Sequence, residues 1–417
     1  MTEWQTFSGQ RKEFFPPDRR GQLFFVELPE LTVSLKDFVK TARKAAGITV
    51  TPGTEFGPQF THHFRINFSQ DPKKAESAAE RLVRLVRFSK KMNKIGRRYT
   101  AWIQSSCHGK MDSSGPAFLQ SRGCDVRFSE SMSEEQYKEE IAAWNPEGLF
   151  VRSFPITADM MQAAPELRVI SVHGTGYDNI DMEYAASHHI QVIRLPEGNY
   201  ISVAEHALFL MLACAKRYGL TRDPFRRGDY EVRYRTAPGT ELLRKTLGVI
   251  GWGHTGRELG RMAGEGLRMK VTAWTEGRPM DGGGFAAEAE SRDQLLRQSD
   301  FVALCIPSTP ETRHGFGMHE FSIMKESACL INTSRGSLVC EDDLVRALRE
   351  GMIAGAGLDV FDQEPPGTDS PLLHMDQVIA TPHFAAVTED AMHRMSLEGA
   401  QELWKTLNGE VPRWPAV

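Results

Sequence analysis

Lys245-Thr246-Leu247-Gly248-Val249-Ile250-Gly251-Trp252-Gly253-His254-Thr255-Gly256 is the stretch whose reading decides the fold. Thr246 to Ile250 is an apolar strand, and the glycines after it are spaced G-x-G-x-x-G. A helical run, RELGRMAGEGL (257–267), comes next. The first glycine, Gly251, permits a tight turn. The second, Gly253, lets backbone approach a pyrophosphate, and the third, Gly256, lets the helix pack on the strand. His254 and Thr255 then lie at a helix N-terminus, whose unpaired amides favour phosphate charge. The spacing alone is common in turns; a strand before it and a helix after it make it a dinucleotide-binding loop.

The next strand, MKVTAWT (269–275), carries at its end the group that meets the adenosine ribose. An acidic side chain there suits NAD, and a small residue with an arginine nearby suits NADP. Thr275 and Arg278 favour NADP while Glu276 favours NAD, and the balance tips slightly to NADP.

Working outward, strands alternate with helices on both sides of the loop. YTAWIQSS (99–106), CDVRFS (124–129), GLFVRS (148–153) and LRVISVHG (167–174) read as strands, with helices at PAFLQSRG and SEEQYKEEIAAW between them. A long apolar helix is predicted from Asn199 to Tyr218, then a loop rich in Arg, Gly and Pro over 222–241. A second α/β pattern runs from the glycine loop to His383, and a last amphipathic helix covers 388–407. Such alternation means parallel sheets with crossover connections, hence an α/β chain of doubly wound sheets.

Three polar residues come after apolar strands in the second pattern. The strand in INTSRGSLV (331–339) ends at Arg335-Gly336, Glu364 follows AGLDVFD (356–362), and the strand in VIATPHFAA (378–386) ends at His383. Ligands bind open α/β sheets at the C-terminal ends of strands, so the three can converge beside a nicotinamide. Reducing a 2-oxo acid takes a hydride to carbon and a proton to oxygen. An imidazole gives that proton near neutral pH, a carboxylate beside it keeps it charged, and a guanidinium grips the substrate carboxylate and polarises its carbonyl. Arg152-Ser153-Phe154 lies on a loop expected to face the substrate.

Composition narrows the classes. The 417 residues allow two or three domains. With 50 basic and 54 acidic residues the net charge is -4, which argues against a dedicated nucleic-acid binder. The sequence has no apolar run of membrane-spanning length, and the first 20 residues have no apolar signal core. Cys107, Cys124, Cys214, Cys305, Cys329 and Cys340 form no CxxC pair and stand near no histidine cluster. The expectation is therefore a cytoplasmic chain without disulfides or a metal site.

GTGYDNID (174–181), EGNYISVAEHALFLML (197–212), KTLGVIGWGHTG, INTSRGSLV, GLDVFDQEP and TPHFAA together resemble the D-isomer-specific 2-hydroxyacid dehydrogenases over about residues 98–410. The resemblance implies that Arg335, Glu364 and His383 are the catalytic set. It also implies that Gly174, Thr175 and Gly176 bind the substrate carboxylate, that Asp359 approaches the nicotinamide amide, and that Pro307 and Thr333 line the cofactor channel. Two Rossmann-like domains are implied as well: a substrate domain of 98–199 with 384–417, and a dinucleotide-binding domain of 200–383 inserted in it. Family members are usually dimers through the latter. His254-Thr255 stands where Arg-Ile is usual, and one residue is added between Gly256 and the MKV strand. Glu364, rather than Gln, argues against formate dehydrogenase. An NAD(H)-sensing corepressor on the same scaffold, or hydride transfer from another donor such as phosphite, is the alternative reading.

Residues 20–97 lie outside that resemblance, after a loose arm over 1–19. Strands at LFFVEL (23–28), ITVTPG (48–53) and HHFRINFS (62–69), with helices from Ser34 to Gly47 and from Asp71 to Met92, make a small α+β module. GQLFFVELPE, AGITVTPGTEFGP and HHFRINFS resemble the small domain of fold-type I pyridoxal-phosphate aminotransferases, which would place a carboxylate-binding role on Arg65. The large domain with the Schiff-base lysine is missing, so no bound pyridoxal phosphate is expected, and docking to a separate aminotransferase is the hypothesis. Arg81, Arg84, Arg87, Lys90, Lys91, Lys94, Arg97 and Arg98 read as a solvated basic face.

Overall fold

The structure, a computed structural model, describes residues 100–104, 112–129, 133–152, 154–276, 280–281 and 283–416, with the backbone of strands at 23–27, 50–52 and 63–67. The chain divides into two compact units, Met1–Arg97 with Lys405–Pro415, and Arg98–Trp404 with Ala416–Val417. In the first, β1 (Leu23–Glu27), β2 (Val50–Pro52) and β3 (His63–Asn67) form an antiparallel sheet in the order β1-β3-β2. The three predicted strands are thus present. The two helices expected between and after them, the side chain of Arg65 and the basic run from Arg81 to Arg98 lie outside the described residues.

The second unit holds two parallel sheets. Strands β4 (Thr100–Gln104), β5 (Asp125–Ser129), β6 (Gly148–Val151), β7 (Val169–Val172) and β8 (Gln191–Ile193) are ordered β5-β4-β6-β7-β8. Strands β9 (Thr246–Ile250), β10 (Lys270–Trp274), β11 (Ala286–Glu288), β12 (Phe301–Leu304), β13 (Cys329–Asn332), β14 (Gly355–Leu358) and β15 (Val378–Ala380) are ordered β11-β10-β9-β12-β13-β14-β15. Both orders reverse direction beside their first strand, which leaves a crevice at the C-terminal strand ends. Strands β6, β7, β12, β13 and β14 are short and buried at every residue. Helices cover both faces of such sheets, so the strands read as continuous apolar runs rather than alternating ones.

Helix Glu389–Leu407 returns the chain to the five-stranded sheet, where Ser171 Oγ donates to Gly399 O at 3.1 Å. The Phe150 ring stands 2.6 Å from where a Gly399 Cβ would be. Only glycine lets the helix lie this close to the sheet.

Two expectations need correcting. The helix predicted from Asn199 to Tyr218 ends at Ala215, because Arg217 takes a left-handed conformation (φ 52°) and its Nε donates to Pro238 O at 3.1 Å. The loop predicted over 222–241 is partly helical, at Tyr218–Arg226 and Val232–Arg235. Its prolines and glycines mark the ends of these short helices more than their absence, although Pro224 lies inside the first.

The stretch after Gly256, where one added residue is expected, is irregular. Helix His254–Arg261 runs into a π-helical turn at Met262–Gly266, where the Leu267 amide reaches back to Met262 O at 3.3 Å. A π turn holds one more residue than an α turn, so it absorbs an insertion without displacing β10.

Candidate active site

Gly251 sits at φ 98°, and a Cβ there would strike Cys305 O. That conformation and that approach admit only glycine. A Cβ on Gly256 would strike Gly251 O, so helix and strand are as close as the motif predicts. Beside Gly253 there is open space, and no side chain caps the amides of the helix that begins at His254. The N-terminal amides of a helix facing an opening suit a pyrophosphate. The His254 ring lies 5.7 Å from that of Tyr200, and its Nε2 lies 3.6 Å from Glu197 Oε1. Thr275 and Glu276 come directly after β10, Thr275 half-buried and Glu276 exposed; Arg278 lies outside the described residues.

The turn after β13 is shaped by Asn332, whose Oδ1 accepts from the Ser334 amide at 3.1 Å and whose Nδ2 donates to Arg335 O at 2.8 Å. Ser334 Oγ ties the turn to β12 through Leu304 O at 2.7 Å. Arg335 leaves this turn, with Nη1 donating to Ser334 O at 2.8 Å and Nε to Asp178 Oδ2 at 2.6 Å. Thr333 is buried in the same turn, and Pro307 comes after β12, its carbonyl accepting from Thr312 Oγ1 at 2.9 Å.

Glu364 and His383 meet: Glu364 Oε2 lies 2.7 Å from His383 Nδ1. Oε1 of Glu364 accepts from the Phe361 amide at 3.1 Å. Burial raises the pKa of Glu364, but the hydrogen bond and charge of His383, the Phe361 amide and the charge of Arg335 outweigh it and hold the carboxyl below its usual range. The carboxylate form beside an imidazole is the one that orients it and stabilises its protonated state.

His383 itself is held in a left-handed conformation, φ 51°. A non-glycine residue adopts this only where its surroundings impose it. Asp359 imposes it. The His383 amide donates to Asp359 O at 2.7 Å, the Phe384 amide to Oδ1 at 2.8 Å and the Ala385 amide to Oδ2 at 2.8 Å. Thr381 Oγ1 donates to Oδ1 at 2.6 Å, and His206 Nε2 lies 2.9 Å from Thr381 Oγ1 and 3.4 Å from Oδ1. Burial pushes the Asp359 carboxyl up, yet these bonds together bring it below its usual value. The resemblance puts Asp359 at the nicotinamide; here its carboxylate is 1 % exposed and turned to the 381–385 loop.

Gly174, Thr175 and Gly176 come after β7. Thr175 Oγ1 donates to Asn199 Oδ1 at 3.1 Å, and Gly174 O accepts from the Leu195 amide at 2.7 Å. A Cβ on Gly176 would fall on Arg335 Nη2, so the guanidinium lies directly over this loop. Arg335 thus lies over the 174–176 loop and near enough to Glu364 for its charge to act there, and Glu364 in turn meets His383. The supporting groups Asp178, His206, Thr381 and Asn332 were not singled out from the sequence, although they lie inside motifs quoted for other reasons.

Residues 208–385 match the family model described as D-isomer specific 2-hydroxyacid dehydrogenase, NAD binding domain. A hydroxypyruvate reductase of Thermotoga maritima is 37% identical over 284 residues, 67% of this chain and 91% of that protein. A D-3-phosphoglycerate dehydrogenase of Methanocaldococcus jannaschii is 36% identical over 294 residues, 69% of this chain but 54% of that protein, so the chain spans about half of its length. The crystal structure of a glyoxylate reductase from Paecilomyes thermophila superposes with a TM-score of 0.69 at 25% identity, over 77% of this chain and 99% of that one. Among the described residues no helix is long and apolar enough to cross a membrane. Since the match to the Thermotoga maritima protein runs over nearly all of that reductase, the chain belongs to the D-isomer-specific 2-hydroxyacid dehydrogenase family.

Proposed function

We propose that the protein reduces a 2-oxo acid to the D (R)-2-hydroxy acid, reversibly, with NAD(P)H. The carrying observation is the 2.7 Å contact of Glu364 with His383, set beside an Arg335 guanidinium that overlies the 174–176 loop. A bound nicotinamide supplies the hydride. Gly251, Gly253, His254, Thr255 and Gly256 would hold its pyrophosphate, with Pro307 and Thr333 along the channel and Thr275, Glu276 and Arg278 around the ribose. The cofactor preference tips to NADP. Arg335 binds the substrate carboxylate and draws electron density from the carbonyl, with the amides of Gly174 to Gly176 sharing the carboxylate. His383 Nδ1 is committed to Glu364, so the proton given to the carbonyl oxygen comes from Nε2. Glu364 stabilises the charged imidazole before that transfer.

The domain division accords with the same reading: a substrate domain of 98–199 with the returning helix, and a dinucleotide domain of 200–383. Phe209, Leu212, Tyr218, Phe225 and Tyr234, on successive helices of the latter, and Tyr230, in the turn before the last of them, are exposed large apolar residues, which supports a homodimer. Light scattering would give the dimer mass. Association with an aminotransferase through residues 20–97 is tested by pull-down. The activity is tested by turnover on a panel of 2-oxo acids, hydroxypyruvate and glyoxylate among them, with NADH and NADPH in parallel. Reduction of at least one supports the reading. Tight NAD(P)H binding with no reduction of any would favour the nucleotide-sensing alternative.

A further inference from the structure

We propose that Asp178 is the positioning residue of Arg335: it fixes the guanidinium across the cleft so that Nη2, over Gly176, meets the substrate carboxylate. This rests on the assignment of Arg335 to the substrate. A guanidinium has five N–H donors. In Arg335 the Nε donor goes to Asp178 Oδ2 at 2.6 Å and one Nη1 donor to Ser334 O at 2.8 Å. Of the three left, the two on Nη2 lie at the loop that lacks a side chain at Gly176.

Asp178 can hold such a long side chain because its own backbone is held. On its C-terminal side, Asn179 Nδ2 donates to Phe154 O at 2.6 Å and to Arg152 O at 3.4 Å, and Asn179 O accepts from the Ile156 amide at 2.7 Å. The Ile180 amide closes the turn on Tyr177 O at 3.0 Å, and Asp181 caps helix Met182–Ser187 through the Tyr184 amide at 2.9 Å. Asp178 is thus anchored in the loops of the five-stranded sheet, while Arg335 rises from the seven-stranded one. An exposed ion pair is worth little when both ends are free to move. Here both ends are tethered and the bond is short, the circumstances in which a charged hydrogen bond sets geometry.

The variant that tests this is Asp178→Asn, which keeps the shape and removes the charge, with Asp178→Glu as the conservative rescue. Two readouts are needed: steady-state turnover of hydroxypyruvate, and calorimetric binding of oxamate to the protein with NAD(P)H bound. In Asp178→Asn the KM for hydroxypyruvate and the Kd for oxamate should rise about tenfold to a hundredfold, the cost of a guanidinium displaced by about an ångström. The Kd for NAD(P)H and the melting temperature should stay as in the wild type, and Asp178→Glu should recover part of the loss. In a double-mutant cycle with Arg335→Lys the two effects should be strongly non-additive. Unchanged KM and oxamate affinity in Asp178→Asn while Arg335→Lys loses both, or strict additivity, overturns the role of Asp178 alone. If Arg335→Lys is also without effect, or the wild type neither reduces hydroxypyruvate nor binds oxamate, the reading of the site falls with it.

Discussion

The five-stranded and seven-stranded sheets are built alike, parallel and with β6, β7, β12, β13 and β14 buried at every residue, yet they give the site different things. The seven-stranded sheet gives the groups to which we assign the chemistry: Arg335, Glu364 and His383 all lie beyond the ends of its strands. The five-stranded sheet gives mainly shape, through the backbone of Gly174 to Gly176 and a carboxylate, Asp178, bonded to Arg335. Their supports differ in the same sense. His383 stands on a strained backbone held by a buried carboxylate, Asp359, that takes two amides and a hydroxyl. The 174–181 stretch is held by an amide side chain, Asn179, and by backbone bonds. Reactive groups need a rigid polar hub, whereas a backbone cradle needs only glycine and a tight turn.

Changes to the seven-stranded sheet should therefore stop chemistry, and changes to the five-stranded one should loosen substrate. His383→Gln should lower kcat by a factor of about a hundred to ten thousand with NAD(P)H affinity intact, measured by turnover beside fluorescence titration. Equal losses in cofactor binding would blur the distinction. Glu364→Gln should lower kcat about tenfold to a hundredfold, since the His383 imidazole loses the carboxylate that orients it. An unchanged kcat would leave Glu364 no part in proton transfer.

The sheets should also part company on acidification. Asp359 has a folded-state pKa below its ordinary 3.8, so its stabilising contribution is complete above that value and disappears as pH falls through the lower one. Asp359→Asn should cost about 1–3 kcal/mol at neutral pH, because the new amide turns a donor toward donors, and the gap to wild type should close below pH 3.8. His173, buried after β7, is the opposite kind of group. Burial first, and the charge of Arg152 second, push its imidazole from 6.5 down to about 4. Native His173 thus stays neutral where the unfolded chain would protonate, and its contribution is complete above 6.5 and lost on the way down to about 4. Melting temperatures should fall first between pH 6.5 and 4, and His173→Asn should flatten that part of the curve. If the first losses come only below that window, the five-stranded sheet is not the more acid-sensitive of the two.

Much of the architecture was legible in the sequence where a local rule decides the outcome. The glycine loop announces its own turn because Gly251 must be at positive φ, and the strand pattern announces two parallel sheets. The positions of Arg335, Glu364 and His383 were legible as polar residues past apolar strands. The groups that hold them were not. His206 lies in an apolar helix and reads as one more core residue, and its bond to Thr381 spans 175 residues. Asp178 sits in a motif whose glycines draw the eye, and its partner lies 157 residues away. The break at Arg217 was hidden for another reason: the chain turns there on a left-handed arginine, a residue type that carries no turn signal.

The π turn at Met262–Gly266 lies at the far end of the helix from His254, and β10 comes after it in register with β9. Length variation in this stretch is therefore buffered before it reaches the helix end at His254. Relatives one residue shorter should superpose on both termini of the segment, and a single deletion engineered between 262 and 266 should be tolerated as readily as an alanine substitution on an exposed helix.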